Sequence, residues 1–152
     1  PYNPLKDASE LAPFEERVSL CRTIAQHPHI LVTDIEEHLG LNRSYYTLRA
    51  LRTRFPGTDF AWITGMDIAH EFHHWHRWQD ILELTATVHV ARPPMQSLVQ
   101  DCPLRLLRGR QNHVLVERGE KHPLRPKTSY WILDTKALDI SSTEIRNSIG
   151  NQ

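Results

Sequence analysis

Three short runs in this chain, DFAWITG (59–65), TATVHVA (85–91) and TSYWILDT (128–135), are apolar or β-branched at nearly every residue rather than at every second one. A strand that alternates has one wet face, whereas a strand without alternation is covered on both, the condition of a parallel sheet flanked by helices. The segments between these runs supply helical spacing. Phe14, Val18, Cys21 and Ile24 recur at i, i+4 and i+7 in APFEERVSLCRTIAQH, with Pro13, Glu15 and Glu16 where a helix start favours them. Leu48, Leu51 and Phe55 repeat that spacing in SYYTLRALRTRF, and Pro56-Gly57 stops it. HILVTDI (29–35) reads as one more short β-rich run, and AHEFHHWHRWQDILEL (69–84) as helix broken in its middle. Alternation of helix and buried strand predicts an α/β fold, a mostly parallel sheet with helices on both faces. Ligands in such sheets bind beyond the carboxyl ends of the strands, which directs attention to TGMD (64–67) and VARP (90–93).

The chain of 152 residues is one domain's worth, 1–152, and long enough to bury a core. Lys+Arg and Asp+Glu are both 18, so no global field points to nucleic acid or to an anionic membrane. No apolar run approaches the roughly 18 residues of a spanning helix, and no signal-peptide pattern opens the chain. Cys21 and Cys102 stand apart, without a C-x-x-C, which predicts reduced thiols and a cytoplasmic protein. From Pro94 to about Gly119 the pattern weakens, and CPLRLLRGRQNHVLVERGEKHPLRPK (102–127) is basic on balance. A phosphate-facing surface is one reading of it, and a solvated loop with an edge strand is the plainer one.

HEFHH (70–74) matches H-E-x-x-H, in which two histidines one helical turn apart hold zinc and the glutamate acts as base. A catalytic zinc needs a third ligand, and nothing fixes Glu83 or His89 near His70. The plainer reading makes His70, His73 and His74 polar positions on a helix whose apolar face is Ile68, Phe72, Trp75 and Leu82; no metal site is expected. The wider frame GMDIAHEFHHWHRWQDI carries more meaning. Gly65 ends a strand where a side chain would block a ligand. Asp67 can accept hydrogen bonds from a ribose hydroxyl pair, and Trp75 offers a flat face for a heteroaromatic ring.

Those residues, the opening P-x-N-P-L-K and the closing ISSTEIR (140–146) resemble, in order and separation, the bacterial nicotinate-nucleotide adenylyltransferases of the nucleotidylyltransferase superfamily. The resemblance implies a Rossmann-like fold and transfer of AMP from ATP to nicotinate mononucleotide, giving deamido-NAD and pyrophosphate. It also implies magnesium with ATP as the cofactor. Gly65, Asp67, Ile140, Ser142, Thr143 and Arg146 would bind ATP. Asn3, Lys6, Ser44, Trp75, His76 and Arg92 would bind nicotinate mononucleotide, with Trp75 on the pyridine ring and Asn3, Lys6 and Arg92 on the phosphate. Arg146 and Lys6 would stabilise the transferred phosphates. Ser141 and Glu144 form a capping box, so a helix opening there would offer N–H groups to phosphate.

Two departures stand out. Where the family shows S-Y-T before its third-helix TL, this chain has NRSYYTL, so Ser44 takes the Thr position and Arg43 the Tyr position. The family's Gly-rich first turn and H-x-G-H motif, part of an N-terminal strand–helix–strand unit, are absent from these residues. The expectation is therefore a piece of a longer enzyme, inactive alone. A nucleotide-binding module without catalysis, and a sister activity on nicotinamide mononucleotide, are the alternatives. Oligomeric state, homo-oligomer included, stays open.

Overall fold

Four parallel strands organise the second half of the protein in a computed structural model that describes residues 12–92, 102–115 and 123–133. The chain divides into two compact units, Pro1–Phe55 and Pro56–Gln152.

In the first unit, α1 (Phe14–Ile24), α2 (Ile35–His38) and α3 (Ser44–Arg54) follow one another. Pro13 caps α1, its carbonyl accepting the Arg17 N–H at 3.1 Å, and Glu15 and Glu16 lie in the first turn against the helix dipole. The periodicity located this helix but not its covered face, since Val18 is its buried residue while Ile24 is 73% exposed. HILVTDI is not a strand. Its start is a turn, with the Ile30 N–H on the His27 carbonyl at 2.9 Å, and its end opens α2. Leu31 is 85% exposed, and among the described residues the run has no neighbouring strand to realise its β preference. A Schellman motif ends α2. Gly40 takes φ +62°, its N–H meets the Glu37 carbonyl at 3.0 Å and the Leu41 N–H meets that of Glu36 at 2.7 Å. The Thr47 hydroxyl, donating to Glu36 Oε1 at 2.6 Å, ties α3 to α2.

In the second unit the order is β1 (Ala61–Gly65), α4 (Met66–Glu71), a 3₁₀ turn (Phe72–His74), α5 (Trp78–Leu84), β2 (Ala86–Val90), α6 (Pro103–Leu106), β3 (Gln111–Leu115) and β4 (Thr128–Ile132). The strands lie in the order β1-β2-β4-β3, so the chain skips a place after β2 and returns to fill it. All pairings are parallel, as the unbroken apolar runs predicted. The basic segment supplies β3, an edge strand, in agreement with its plainer reading.

Register sorts the side chains by face, because successive residues of a strand point to opposite sides. Ala86, Val88 and Tyr130 form an apolar cluster on one face, with Ala61, Val90, Leu115 and Ile132 packed against it. The other face carries Thr64, His89 and Trp131 in one row and Thr87, Ser129 and Asn112 in the next. That face carries polar groups that partner one another. Thr87 and Ser129 hydroxyls lie 3.0 Å apart, and the Trp131 indole N–H donates to Asn112 Oδ1 at 3.0 Å. Among the described residues no helix is long and apolar enough to cross a membrane.

Candidate active site

Strand register builds the centre of the site. β1 and β2 pair with a constant offset that ends at Gly65↔Val90, and two residues further along each chain stand Asp67 and Arg92. Both lie beyond the carboxyl ends of neighbouring parallel strands, and they meet in a two-pronged ion pair. Arg92 Nε donates to Asp67 Oδ1 at 2.9 Å and its terminal nitrogen donates to Oδ2 at 2.7 Å. The side chains of Arg92 and Asp67 keep 58% and 34% of their exposure, so the pair sits at the surface rather than in the core. The guanidinium beside Asp67 holds its carboxyl below the usual carboxylate range, with smaller help from the Asp67 and Ile68 backbone amides at the start of α4.

Gly65 gives this pair its room. A Cβ there would lie 2.2 Å from Asp67 Oδ1 and 2.4 Å from Arg92 Nε. The glycine was expected to let a ligand approach the backbone, and in this structure the space above it is filled by the ion pair.

The aromatic side of the site comes from the break in the long histidine-rich segment. α4 stops at Glu71, the 3₁₀ turn follows, and the chain then extends through Trp75 (φ −72°, ψ 142°). Arg77 takes a left-handed φ of 53° and starts α5, its guanidinium on Asp80 Oδ2 at 2.6 Å. The expected break is therefore present, and it projects Trp75 from an irregular turn. Phe72 stacks on the Trp75 ring at 4.8 Å and 23°, and Trp62 of β1 meets it edge-on at 6.5 Å. This geometry also bears on HEFHH. His70 ends up in α4 and His74 in the 3₁₀ turn, so the two do not share one α-helical face, and both are exposed. Of the proposed apolar face, Phe72 and Leu82 are buried, while Ile68 and Trp75 are half-buried.

Beneath the aromatic layer lies a residue that sequence reasoning set aside. His89 is fully buried in β2, stacked on Trp131 at 4.5 Å and edge-on to Phe72 at 6.2 Å. Its Nδ1 shares a hydrogen bond with the Thr64 hydroxyl at 2.8 Å, and its Nε2 has no partner among the described residues. Burial, and then the charge of Arg110, pull its pKa down to about 4, so the ring is neutral. The signal was present in the sequence as a lone histidine inside an otherwise apolar strand.

Of the residues named from the sequence, Gly65, Asp67, Arg92, Trp75 and His76 all fall in the second unit, around the carboxyl ends of β1 and β2 and the turn after α4. Ser44 opens α3 in the first unit, half-buried behind Arg43 at the cap. Asn3, Lys6, Ile140, Ser142, Thr143 and Arg146, with the Ser141–Glu144 capping box, lie outside the described residues.

The Gly-x-Asp turn and Arg92 converge beyond two adjacent parallel strands, the place where α/β sheets bind their ligands. Residues 1–148 match the cytidylyltransferase-like family, and the chain belongs to that family of nucleotidyltransferases. Its relatives narrow the class. A protein of Cereibacter sphaeroides named as a probable nicotinate-nucleotide adenylyltransferase is 36% identical over 96% of this chain and 76% of its own length. Proteins of the same name from Roseobacter denitrificans (40% identical) and Methylorubrum extorquens (43% identical) each match 61% of this chain, and 46% and 50% of their own lengths.

Proposed function

We propose that the protein takes part in NAD biosynthesis by transferring AMP from ATP to nicotinate mononucleotide, releasing pyrophosphate and forming deamido-NAD. The single observation that carries the reading is the convergence of Asp67 and Arg92 over Gly65, beyond the carboxyl ends of β1 and β2. A carboxylate is the natural acceptor for a ribose diol, and a guanidinium is the natural partner of a phosphate monoester. The mononucleotide phosphate attacks the α-phosphorus of ATP and the bond to the β-phosphate breaks, so the protein's task is positioning and charge stabilisation.

In this reading Asp67 holds the ATP ribose, Arg92 the mononucleotide phosphate, and Trp75 the pyridine ring on the face away from Phe72. The resemblance assigns Ser44 and His76 to the pyridine carboxylate, Asn3 and Lys6 to the mononucleotide phosphate, and Ile140, Ser142, Thr143 and Arg146 to ATP. Magnesium accompanies the triphosphate.

Trp75→Ala tests the assignment by steady-state kinetics with both substrates. The KM for nicotinate mononucleotide should rise about tenfold, the scale of one lost ring stack with its desolvation, while the KM for ATP stays within about twofold. An equal loss for both substrates would reduce Trp75 to a packing residue. Nicotinamide mononucleotide run in parallel decides between acid and amide.

A further inference from the structure

The Asp67–Arg92 pair occupies the space that Gly65 leaves open, and it joins the two side chains assigned to different substrates. We propose that this pair is a latch between the two subsites. Without ligand, Arg92 holds the carboxylate that the ATP ribose needs, and a phosphate monoester arriving at Arg92 releases it. Binding of either substrate then tightens binding of the other. The inference rests on the substrate assignment above and adds a coupling that the assignment does not require.

Three features of the pair suit it to this exchange. Both carboxylate oxygens are engaged by the guanidinium, one by Nε and one by the terminal nitrogen, so a diol must compete with it for the carboxylate. A phosphate dianion matches the same planar fork and carries more charge than a carboxylate, so it is the ligand that can win Arg92. The cost of opening is small because both partners remain partly exposed, and such pairs are weak. Coupling is reciprocal by linkage, and a pair of this exposure supports an effect of about two- to fivefold.

The test is calorimetry on the full-length protein with α,β-methylene-ATP, whose bridging carbon prevents turnover, and nicotinate mononucleotide. Each ligand is titrated alone and with the other saturating. In the unsubstituted protein each should tighten the other about two- to fivefold. Arg92→Gln should bind the ATP analogue about two- to fivefold tighter in the absence of mononucleotide, and the coupling should vanish. The sign is the decisive part, because removing a positive charge beside a polyanion would otherwise weaken binding. Independent binding in the unsubstituted protein, or weaker analogue binding by Arg92→Gln, overturns the latch. The substrate assignment has its own readout. Asp67→Ala should weaken the analogue and Arg92→Gln should weaken the mononucleotide, and if neither does, the assignment fails and the latch with it.

Discussion

Two arginines mark opposite ends of the same sheet, and they do different work. Arg92 stands beyond the carboxyl end of β2, exposed, with Asp67 as its ion-pair partner. Arg110 stands just before β3, at the amino ends of the strands, and is anchored from four sides. Its Nε donates to Ser129 Oγ at 2.8 Å, one terminal nitrogen donates to the Leu82 carbonyl at 3.1 Å, and the other reaches Thr87 Oγ1 and the Thr128 carbonyl at 3.0 and 3.2 Å. Burial lowers its pKa to about 10, still charged at neutral pH, with Glu83 opposing the shift. Partner number and exposure, not residue type, decide the role. A cation held by one surface carboxylate can change partners when a ligand arrives. A cation that joins β2, β3, β4 and the end of α5 cannot leave without stranding what it holds.

Stability gives the largest contrast. Arg110→Met keeps the aliphatic stem and leaves the Leu82 and Thr128 carbonyls without a donor, so urea unfolding should show a loss of about 3 kcal/mol. Arg92→Gln should cost less than about 1 kcal/mol in the same measurement, as exposed pairs do. Equal losses from the two substitutions would break the comparison.

Gly65→Ala sharpens it from the other side. The atoms that a new Cβ would strike are the ends of Asp67 and Arg92, which can swing away, and Gly65 already has a φ of −69° that alanine accepts. The fold should therefore survive with a stability change below about 1 kcal/mol, while misplacing the two groups lowers kcat/KM about 100-fold. A variant that unfolds instead would assign Gly65 to packing rather than to the site.

What could be read from the residues follows the same division. The carboxyl-end pair was half legible. TGMD and VARP were flagged because parallel strands carry ligands there, but their contact depends on β1 lying beside β2 in a fixed register, which no local pattern encodes. Arg110 was illegible for a different reason. In a basic run an arginine reads as a solvated charge, and only the assembled floor of Thr87 and Ser129 turns it inward. The strands of the second unit were readable because burial on both faces leaves its mark on every residue. HILVTDI misled because β-branched composition reports a preference and not the neighbour that would satisfy it. The α1 stripe misled likewise, with periodicity locating the helix while Val18 is the residue it buries.

The mildest effect joins the two ends through His89, which lies between the Asp67 side and Arg110. Its folded pKa of about 4 is below the unfolded value of 6.5, so the neutral ring contributes stability that is fully present above pH 6.5 and is lost as pH falls toward 4. Protonation would place a second cation in a buried row that already feels Arg110, with Thr64 as its hydrogen-bond partner. Each pH unit below 6.5 costs about 1.4 kcal/mol, hence about 2 kcal/mol at pH 5. His89→Phe preserves a ring on Trp131 and removes the titration. Its unfolding free energy should start lower at pH 7.5, because Thr64 loses its partner, yet fall by about 2 kcal/mol less between pH 7.5 and 5. Parallel acid limbs for the two proteins would move the acid sensitivity to the exposed carboxylates. They would also detach the core histidine from the electrostatics that separate the two ends of the sheet.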